Sequence, residues 1–411
     1  MGKNVFEEKL FKGVLGLQHL IAMFGATVLV PFLTGLDPSV ALFSAGVGTL
    51  IFHFCTKWKV PVFLGSSFAF IPVIIVVKNT YGDLRYAQGG MFIAGLLYVI
   101  ASLLIKKIGV NRIRKILPAQ VVGPMIIVIG LNLIPTAYNM ASTNFIISAT
   151  TLGVTLCITI FGRGFIKQVA ILFGVIVGYV VSYFIGVIDS TAISQAAIIS
   201  MPAFTLPKFN IGAILVIAPV VLAVFMEHVG DITTNGQVVG KNFIEDPGLN
   251  RTFLGDGIAT MFASLIGGPA NTTYGENTGV LAITKNYDPS ILRITAVFAI
   301  ILSYIGKFGA AIRTVPQAVM GGISLILFSM IALIGIKTIR NDNIKINFKN
   351  LLIIVVIIFL GVGGPIFESK FNITLGIKLT ESISFSGLSF AAIVGVVLNL
   401  ILNGLRTQSN K

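Results

Sequence analysis

The fold is decided by a polar interruption between two apolar stretches, Tyr274-Gly275-Glu276-Asn277-Thr278-Gly279-Val280-Leu281-Ala282-Ile283. The chain around it is apolar enough to lie in a membrane, so we expect the Glu276 carboxylate near the middle of a bilayer. An ionisable group at that depth costs about 2.5–3.5 kcal/mol and marks a functional site by default. Non-helical backbone there survives only when it is buried in protein or lines a wet cavity. The combination indicates the substrate site of a transporter.

The composition is that of a membrane protein. The chain has 411 residues, of which 55% are hydrophobic and only 11% charged, whereas a soluble domain has about 25% charged residues. The net charge of +14 comes from basic residues scattered among short loops, so we predict no nucleic-acid partner. Two cysteines in apolar segments give no disulfide framework.

Fourteen apolar stretches with lengths close to that of a transmembrane helix are predicted to span the membrane, with the N-terminus inside the cell. On this topology 22 of the 29 Lys and Arg residues face the cytoplasm, as the positive-inside rule requires. We therefore expect a multi-pass protein of the cytoplasmic membrane with both termini cytoplasmic. The predicted spans are 13–33, 39–55, 61–77, 87–105, 117–136, 144–162, 168–188, 211–231, 252–268, 271–284, 294–312, 316–336, 350–366 and 386–404.

An internal repeat relates the two halves of the chain. Pro118-Ala119-Gln120-Val121-Val122-Gly123-Pro124 resembles Pro316-Gln317-Ala318-Val319-Met320-Gly321-Gly322, and the two runs open the fifth and twelfth predicted spans. An offset of seven spans makes the halves inverted, as in many secondary transporters. The alternative is a chance match between two helix starts. We predict a first inverted repeat over 1–205 and a second over 206–411.

The third span of each half is interrupted. Residues 61–72 contain Pro and Gly near the middle of span three, and residues 267–276 carry Gly-Gly-Pro directly before the start of span ten. Paired broken segments are the best sequence pointer to a midplane binding site. We expect each to hold a short extended segment followed by a half-helix, whose N–H groups would face a substrate carbonyl.

Four acidic residues fall inside predicted spans: Glu227, Asp231, Asp256 and Glu276. Glu227 and Asp231 share a helix face one turn apart, and His228 is offset from them by about 100°. No Lys or Arg lies deep in a span, and burial without a counter-ion favours the neutral form of a carboxyl group. Proton coupling through Glu227, Asp231 and Glu276 is therefore predicted. Asp231 could instead meet water near the cytoplasmic end, and Asp256 could be a polar packing residue.

Other chemistry finds no support in the sequence. It contains no Gly-x-x-x-x-Gly-Lys-Ser/Thr loop and no Cys/His metal spacing, so we expect no cofactor, no metal and no enzymatic activity. His19 has two open interpretations, an interhelical hydrogen bond or a site role. Phe68 and Tyr274 are either packing aromatics or the walls of a site for a flat ligand.

Four motifs resemble the nucleobase–ascorbate transporter (nucleobase:cation symporter) family, and its uracil-carrying bacterial members most of all. They are Gln18-His19-Leu20-Ile21-Ala22-Met23-Phe24-Gly25-Ala26-Thr27, Gly65-Ser66-Ser67-Phe68-Ala69-Phe70, Glu227-His228-Val229-Gly230 and Asn271-Thr272-Thr273-Tyr274-Gly275-Glu276-Asn277. The resemblance runs along nearly the whole chain. It implies an all-α polytopic membrane protein with fourteen spans in a seven-plus-seven inverted repeat. Spans three and ten would be broken by short antiparallel strands.

The resemblance also implies that the spans form two domains. A core domain would contain spans 1–4 and 8–11, and a gate domain spans 5–7 and 12–14, with substrate bound between them. Transport would be proton symport by an elevator-like alternating access, and members of the family are often homodimers.

The resemblance implies roles for individual residues as well. Glu227 and Glu276 would hydrogen-bond the N–H edges of the nucleobase, and the backbone at Phe68 and Gly275 would contact its carbonyls. Ala26, Phe68 and Tyr274 would line the pocket. Phe328 would face it from the gate side.

One position departs from the pattern of the uracil carriers. They usually have His one turn after the first Glu, where this chain has Asp231, and purine carriers of the family often have Asp there. Import of uracil with protons is the function expected, and xanthine or another purine is the alternative. A second alternative is an anion exchanger of a related seven-plus-seven fold. It is less favoured, because two carboxylates would repel an anion.

Overall fold

The structure of the chain is a computed structural model that describes residues 5–109, 112, 118–341, 344, 347–371, 375–380 and 383–404. The ends of the chain that we predict to be cytoplasmic, residues 1–4 and 405–411, lie outside the described residues. Residue 117, the first of the predicted span 117–136, also lies outside them.

Helices dominate the first half of the chain. A short strand and a 3₁₀ turn (Phe68–Phe70) precede α3. The bounds are α1 (Val5–Thr34), α2 (Pro38–Cys55), β1 (Leu64–Ser66), α3 (Ile71–Tyr81), α4 (Leu84–Ile108), α5 (Ala119–Ala141), α6 (Phe145–Phe161), α7 (Phe165–Gln168), α8 (Ala170–Phe184) and α9 (Thr191–Gln195).

The second half again has long helices and a short strand before a half-helix, and it adds a two-stranded hairpin. A 3₁₀ turn (Ala218–Val220) joins its first two helices. The bounds are α10 (Ile211–Ile217), α11 (Val221–Val239), α12 (Leu249–Leu265), β2 (Asn271–Thr273), α13 (Gly275–Thr284), α14 (Pro289–Ser303), α15 (Gly306–Arg313), α16 (Gln317–Asn341), α17 (Phe348–Ile358), α18 (Gly364–Phe371), β3 (Gly376–Thr380), β4 (Ile383–Ser386) and α19 (Gly387–Asn403).

The chain is a multi-pass membrane protein. Within the described ranges, seven helical segments are long and apolar enough to cross a bilayer: Glu7–Thr34, Pro38–Cys55, Leu84–Ile108, Ala119–Ala141, Ile211–Val239, Gln317–Arg340 and Phe348–Glu368. Five shorter apolar helices accompany them, and a helical segment overlaps each stretch that we predict to span.

The predicted span 294–312 is not a single continuous helix. The chain leaves the helical path between α14 and α15, where Ile305 forms an isolated antiparallel bridge with Ile199. Ser200 N donates to Tyr304 O at 2.9 Å, and Gly306 N donates to Ile198 O at 2.9 Å. These non-local hydrogen bonds replace helical ones, and hydropathy contains no signal for them.

Asp and Asn side chains start several helices. Asp37 accepts from the backbone N–H groups of Ser39 and Val40 at the start of α2, and Asn144, Asn210 and Asp288 cap α6, α10 and α14 in the same way. Such caps satisfy N–H groups that a helix cannot pair internally. Other helices, among them α5, α8 and α12, start without a side-chain cap.

A two-stranded antiparallel sheet joins the two halves of the chain. β1 pairs with β2 in the register Leu64 opposite Thr273, Gly65 opposite Thr272 and Ser66 opposite Asn271. All six residues are buried. An isolated pair of strands is marginal in water, so this sheet depends on the helices that enclose it.

Side chains from neighbouring helices complete the backbone hydrogen bonds of the sheet. On the outer edge of β1, Leu64 N donates to Thr49 Oγ1 at 2.9 Å. On the outer edge of β2, Asn271 N donates to Thr260 Oγ1 at 3.2 Å, and Thr260 Oγ1 donates to Asn271 O at 3.1 Å. The Asn271 amide donates to Ser44 O at 3.1 Å. Buried strand edges are thereby paired, as a membrane interior demands.

The packing around Gly65 gives the first prediction. A Cβ at Gly65 would overlap the ring of Tyr274, whose hydroxyl donates to Ser66 O at 3.0 Å. We expect Gly65→Ala to lower the free energy of unfolding by about 1–3 kcal/mol, because the ring must shift and its hydrogen bond is strained.

Thermal unfolding of the detergent-solubilised protein measures this effect. Gly153→Ala is the matched control, because a Cβ at that helical position meets no atom within 4 Å. Equal unfolding midpoints for the two variants would contradict the prediction.

Candidate functional site

Two carboxylates lie one turn apart on α11. Glu227 and Asp231 are both half-buried, and Gly230 between them is exposed. The helix ends at Gly240, which adopts a left-handed φ of 75°, a conformation that favours glycine. The predicted shared face of Glu227 and Asp231 is therefore present on a helix of 19 residues.

A third carboxylate lies in the first turn of α13, directly after β2. Tyr274 occupies the cap position and provides no side-chain cap. Gly275 is exposed, with open space around its Cα, and Glu276 is half-buried. The side chain of the cap residue thus pairs none of the first N–H groups of α13, and a helix N-terminus attracts hydrogen-bond acceptors.

The 3₁₀ turn after β1 starts without a cap as well. Ser67 occupies its cap position, forms no side-chain cap and has a buried hydroxyl without a partner among the described residues. Because β1 and β2 are paired, the two uncapped helix starts follow adjacent strands. This geometry matches the predicted pair of extended segments followed by half-helices.

The three carboxylates are close enough to interact electrostatically. Glu227 interacts with Glu276, and Asp231 interacts with both of them. Among the described residues, no Lys or Arg forms an ion pair with any of the three. Like charges without a counter-ion are costly in a low-dielectric environment, so the site favours protons or hydrogen-bond donors.

Asp231 is tied to the sheet. Thr273 Oγ1, the side chain of the last residue in β2, donates to Asp231 Oδ2 at 2.7 Å. The alternative, that Asp231 only meets water near the cytoplasmic end of its span, does not account for this hydrogen bond. The bond fixes α11 to the strand that precedes Glu276.

Amide side chains hold α13 in place from two directions. Asn277 Nδ2 donates to His19 Nδ1 at 3.1 Å and to the His19 carbonyl at 3.2 Å. Asn235 Nδ2 donates to Thr278 Oγ1 at 3.2 Å and to Pro61 O at 3.0 Å. Of the two interpretations of His19, the interhelical hydrogen bond is the one present.

The aromatic and small residues predicted to line the site differ in exposure. Phe68 is half-buried, whereas Ala26, Tyr274 and Phe328 expose only 1%, 3% and 0% of their surface. Tyr274 and Ala26 belong to one apolar cluster. Phe328 lies in another, which also contains Phe225 and Val229 on either side of Glu227 in sequence.

One hydrogen-bonded group was not assigned to the site by the sequence. His228 Nδ1 lies 2.8 Å from Asp256 Oδ2, and His228 Nε2 lies 2.9 Å from Thr252 Oγ1. Thr252 and Asp256 are four residues apart on α12 and so share a helix face. That spacing of two polar residues in an apolar helix was the available signal. It becomes informative only once α11 and α12 are known to pack together.

The arrangement is chemically suited to a small neutral polar molecule. Carboxylate oxygens accept hydrogen bonds, and the uncapped N–H groups at the start of α13 donate them. A flat ring with alternating N–H and C=O groups has the complementary pattern. An anionic ligand is less well suited to the site, because among the described residues no Lys or Arg pairs with these carboxylates.

The chain is similar to known proteins over most of its length. Residues 12–370 match the model of the "Permease family" (Xan_ur_permease). The chain is 41% identical over 406 residues to the "Probable uracil permease" of Haemophilus influenzae, which covers 96% of this chain and 95% of that protein. It is 42% identical over 406 residues to the "Uracil permease" of Bacillus caldolyticus, and this match covers 95% of this chain and 91% of that protein.

The fold is also similar to a solved structure of low sequence identity. The transmembrane domain of the cyanobacterial bicarbonate transporter BicA superposes with a TM-score of 0.60 at 15% identity, over 98% of both chains. At that identity the likeness concerns the fold alone.

The bond between Thr273 and Asp231 gives the second prediction. We expect Thr273→Val to lower the free energy of unfolding by about 1–3 kcal/mol, because the carboxylate loses a donor that the isosteric valine cannot replace. Thr273→Ser keeps the hydroxyl and serves as the control. Thermal unfolding in detergent measures both, and a valine variant as stable as the serine variant would refute the assignment.

Proposed function

This chain belongs to the permease family, and from that premise we propose that it is a proton-coupled symporter that imports uracil across the cytoplasmic membrane. It is a transporter rather than an enzyme, with the lipid bilayer, uracil and protons as its partners and no cofactor. The observation that carries the proposal is the meeting of Glu227 and Glu276 beside the uncapped start of α13.

In this proposal the polar edges of uracil are matched group by group. The carboxylates of Glu227 and Glu276 accept hydrogen bonds from the ring N–H groups. Backbone N–H groups at Phe68 and Gly275 donate to its carbonyls, and the exposure of Gly275 supports access there. Unpaired polar groups would reject a base with the wrong pattern.

The remaining proposed contacts are apolar. Ala26, Phe68 and Tyr274 line the ring, and Phe328 faces it from the gate side. Ala26, Tyr274 and Phe328 are almost completely buried, so the proposal requires them to border the ligand after a movement of the gate helices. Such a movement is what an elevator-like alternating access provides.

Proton coupling is assigned to Glu227, Asp231 and Glu276. Their mutual electrostatic interaction and their lack of ion pairs with described Lys or Arg residues support this role. Entry of a proton removes one negative charge from the cluster and lowers the repulsion among the others.

The proposed architecture has fourteen spans in two inverted repeats, 1–205 and 206–411, with both termini cytoplasmic. The core domain comprises spans 1–4 and 8–11 and the gate domain spans 5–7 and 12–14. The pairing of β1 with β2, one from each half, supports a binding site at the interface of the repeats. A homodimer is part of the proposal.

A second candidate, a xanthine or other purine symporter, follows from Asp231. Its carboxylate already accepts from Thr273, which supports a role in holding β2 rather than in choosing the base. We therefore retain uracil. The fold shared with a bicarbonate transporter does not favour an anion exchanger, because three carboxylates would repel the substrate.

Uptake of labelled uracil into proteoliposomes tests the substrate. We expect uptake that depends on an inward proton gradient and persists with excess unlabelled xanthine, because the site matches a single pyrimidine ring. Uptake abolished by xanthine would move the assignment to a purine carrier and make Asp231 its determinant.

Replacement of Glu276 tests the site. We expect Glu276→Gln to reduce uracil uptake at least about tenfold, because one acceptor oxygen becomes an NH₂ donor that faces a ring N–H group. Glu245→Gln is the matched control, since Glu245 is exposed on the turn before α12. Normal transport by a well-folded Glu276→Gln variant would remove Glu276 from the site.

A further inference from the structure

A buried chain of hydrogen bonds joins α11 to α12 beside Glu227. It contains the Asp256 carboxyl, the His228 ring and the Thr252 hydroxyl, and all three residues are completely buried. The His228 ring packs on Phe253 with 5.4 Å between ring centroids. This packing keeps bulk water away from the imidazole.

The hydrogen atoms of this chain can be assigned. Thr252 Oγ1 donates to Leu249 O at 3.0 Å, and a hydroxyl has a single hydrogen to give. In this arrangement His228 Nε2 carries the hydrogen that it shares with Thr252 Oγ1. One further proton then joins Nδ1 to Asp256 Oδ2, on either atom, so that the pair is electrically neutral as a whole.

The same chain can also exist with one proton fewer. In that state Nδ1–H donates to the Asp256 carboxylate, and Nε2 becomes an acceptor. The Thr252 hydroxyl can rotate from Leu249 O to Nε2, since hydroxyl hydrogens turn to suit their partners. Both states keep each ring nitrogen hydrogen-bonded. The group therefore has two satisfied arrangements that differ by a single proton.

Unused hydrogen-bonding capacity surrounds the pair. Asp256 Oδ1 and the Tyr98 hydroxyl are buried and have no partner among the described residues. Tyr98 on α4 interacts electrostatically with Asp256 and Glu227, and Glu227 interacts with Asp256. A purely structural network normally pairs its buried polar atoms.

The other ionisable groups near the pair are acidic. Asp231 on α11 interacts with His228, with Glu227 and with Glu276 on α13. Among the described residues, no Lys or Arg forms an ion pair with His228 or Asp256. The charge on the pair is therefore linked to the charge on Glu227.

We propose that the His228–Asp256 pair is a proton-binding site that exchanges its proton with Glu227 during transport. The proposal deepens the proton coupling of the proposed function and rests on it. The exchange breaks the bond between Asp256 and its proton and forms one between that proton and the Glu227 carboxylate. The pair goes from neutral to one negative charge, Glu227 goes from one negative charge to neutral, and the total charge is unchanged.

Asp256→Asn isolates the exchange. The introduced amide can donate to His228 Nδ1 and so imitates the loaded pair, but it has no proton to release. In proteoliposomes we expect the uracil-dependent proton entry, followed with a trapped pH dye, to fall at least about tenfold. Uracil counterflow without a gradient should fall far less, because exchange of substrate does not require net proton movement.

Thr252→Val against Thr252→Ser provides a second measurement if the Asp256→Asn variant does not fold. Valine removes the partner of Nε2 in both states. The loss costs the loaded state more, because there the ring shares the extra proton and a hydrogen bond from a charged donor is the stronger one. We expect half-maximal uptake to move to lower pH by about one unit, while serine keeps the wild-type profile.

The outcomes separate this proposal from the proposed function. A wild-type ratio of protons to uracil in the Asp256→Asn variant, or coincident pH profiles for Thr252→Val and Thr252→Ser, would overturn the proton site alone. If the wild-type protein itself showed neither proton entry nor counterflow in the presence of uracil, the proposed function would be overturned.

Discussion

The rest of the structure depends on the need to pair every backbone group of two short strands inside an apolar protein. β1 and β2 satisfy each other along one edge. On their outer edges, the Thr49 hydroxyl accepts from Leu64 N, and the Thr260 hydroxyl pairs with the backbone N–H and C=O of Asn271. Unpaired N–H and C=O groups at that depth would each cost several kcal/mol. Once the strands are held, the helices that follow them must begin at the same place.

That constraint explains why the polar chemistry is concentrated. The helix start after β2 has no capping side chain, unlike the Asp- and Asn-capped helices elsewhere in the described chain. Gly275 at this helix start is exposed. α11 brings Glu227 and Asp231 to the same place, and the bond from Thr273 to Asp231 links that helix to the sheet. Donors and acceptors therefore face one small region, which is what recognition of a neutral base requires.

The acidic residues form two groups with different surroundings. Glu227, Asp231 and Glu276 are half-buried and can reach a ligand or water. Asp256 is completely buried and engaged by His228. A buried carboxyl with an imidazole partner can hold a proton without becoming an isolated charge. The chain thus keeps an ionisable pair in its interior beside the carboxylate that we assign to the substrate.

The sequence by itself determined the membrane class, the two broken segments and the shared face of Glu227 and Asp231, because composition and helical spacing act locally. It also supplied the family, through motifs that the comparison bears out. Only the tertiary structure decided the His228–Asp256 bond and the break at Ile305. Each depends on segments distant in sequence, such as α11 against α12 and residues 198–200 against 304–306. Neither contact changes hydropathy, and the polar spacing of Thr252 and Asp256 does not identify the partner that they meet, so the sequence alone could not indicate either contact.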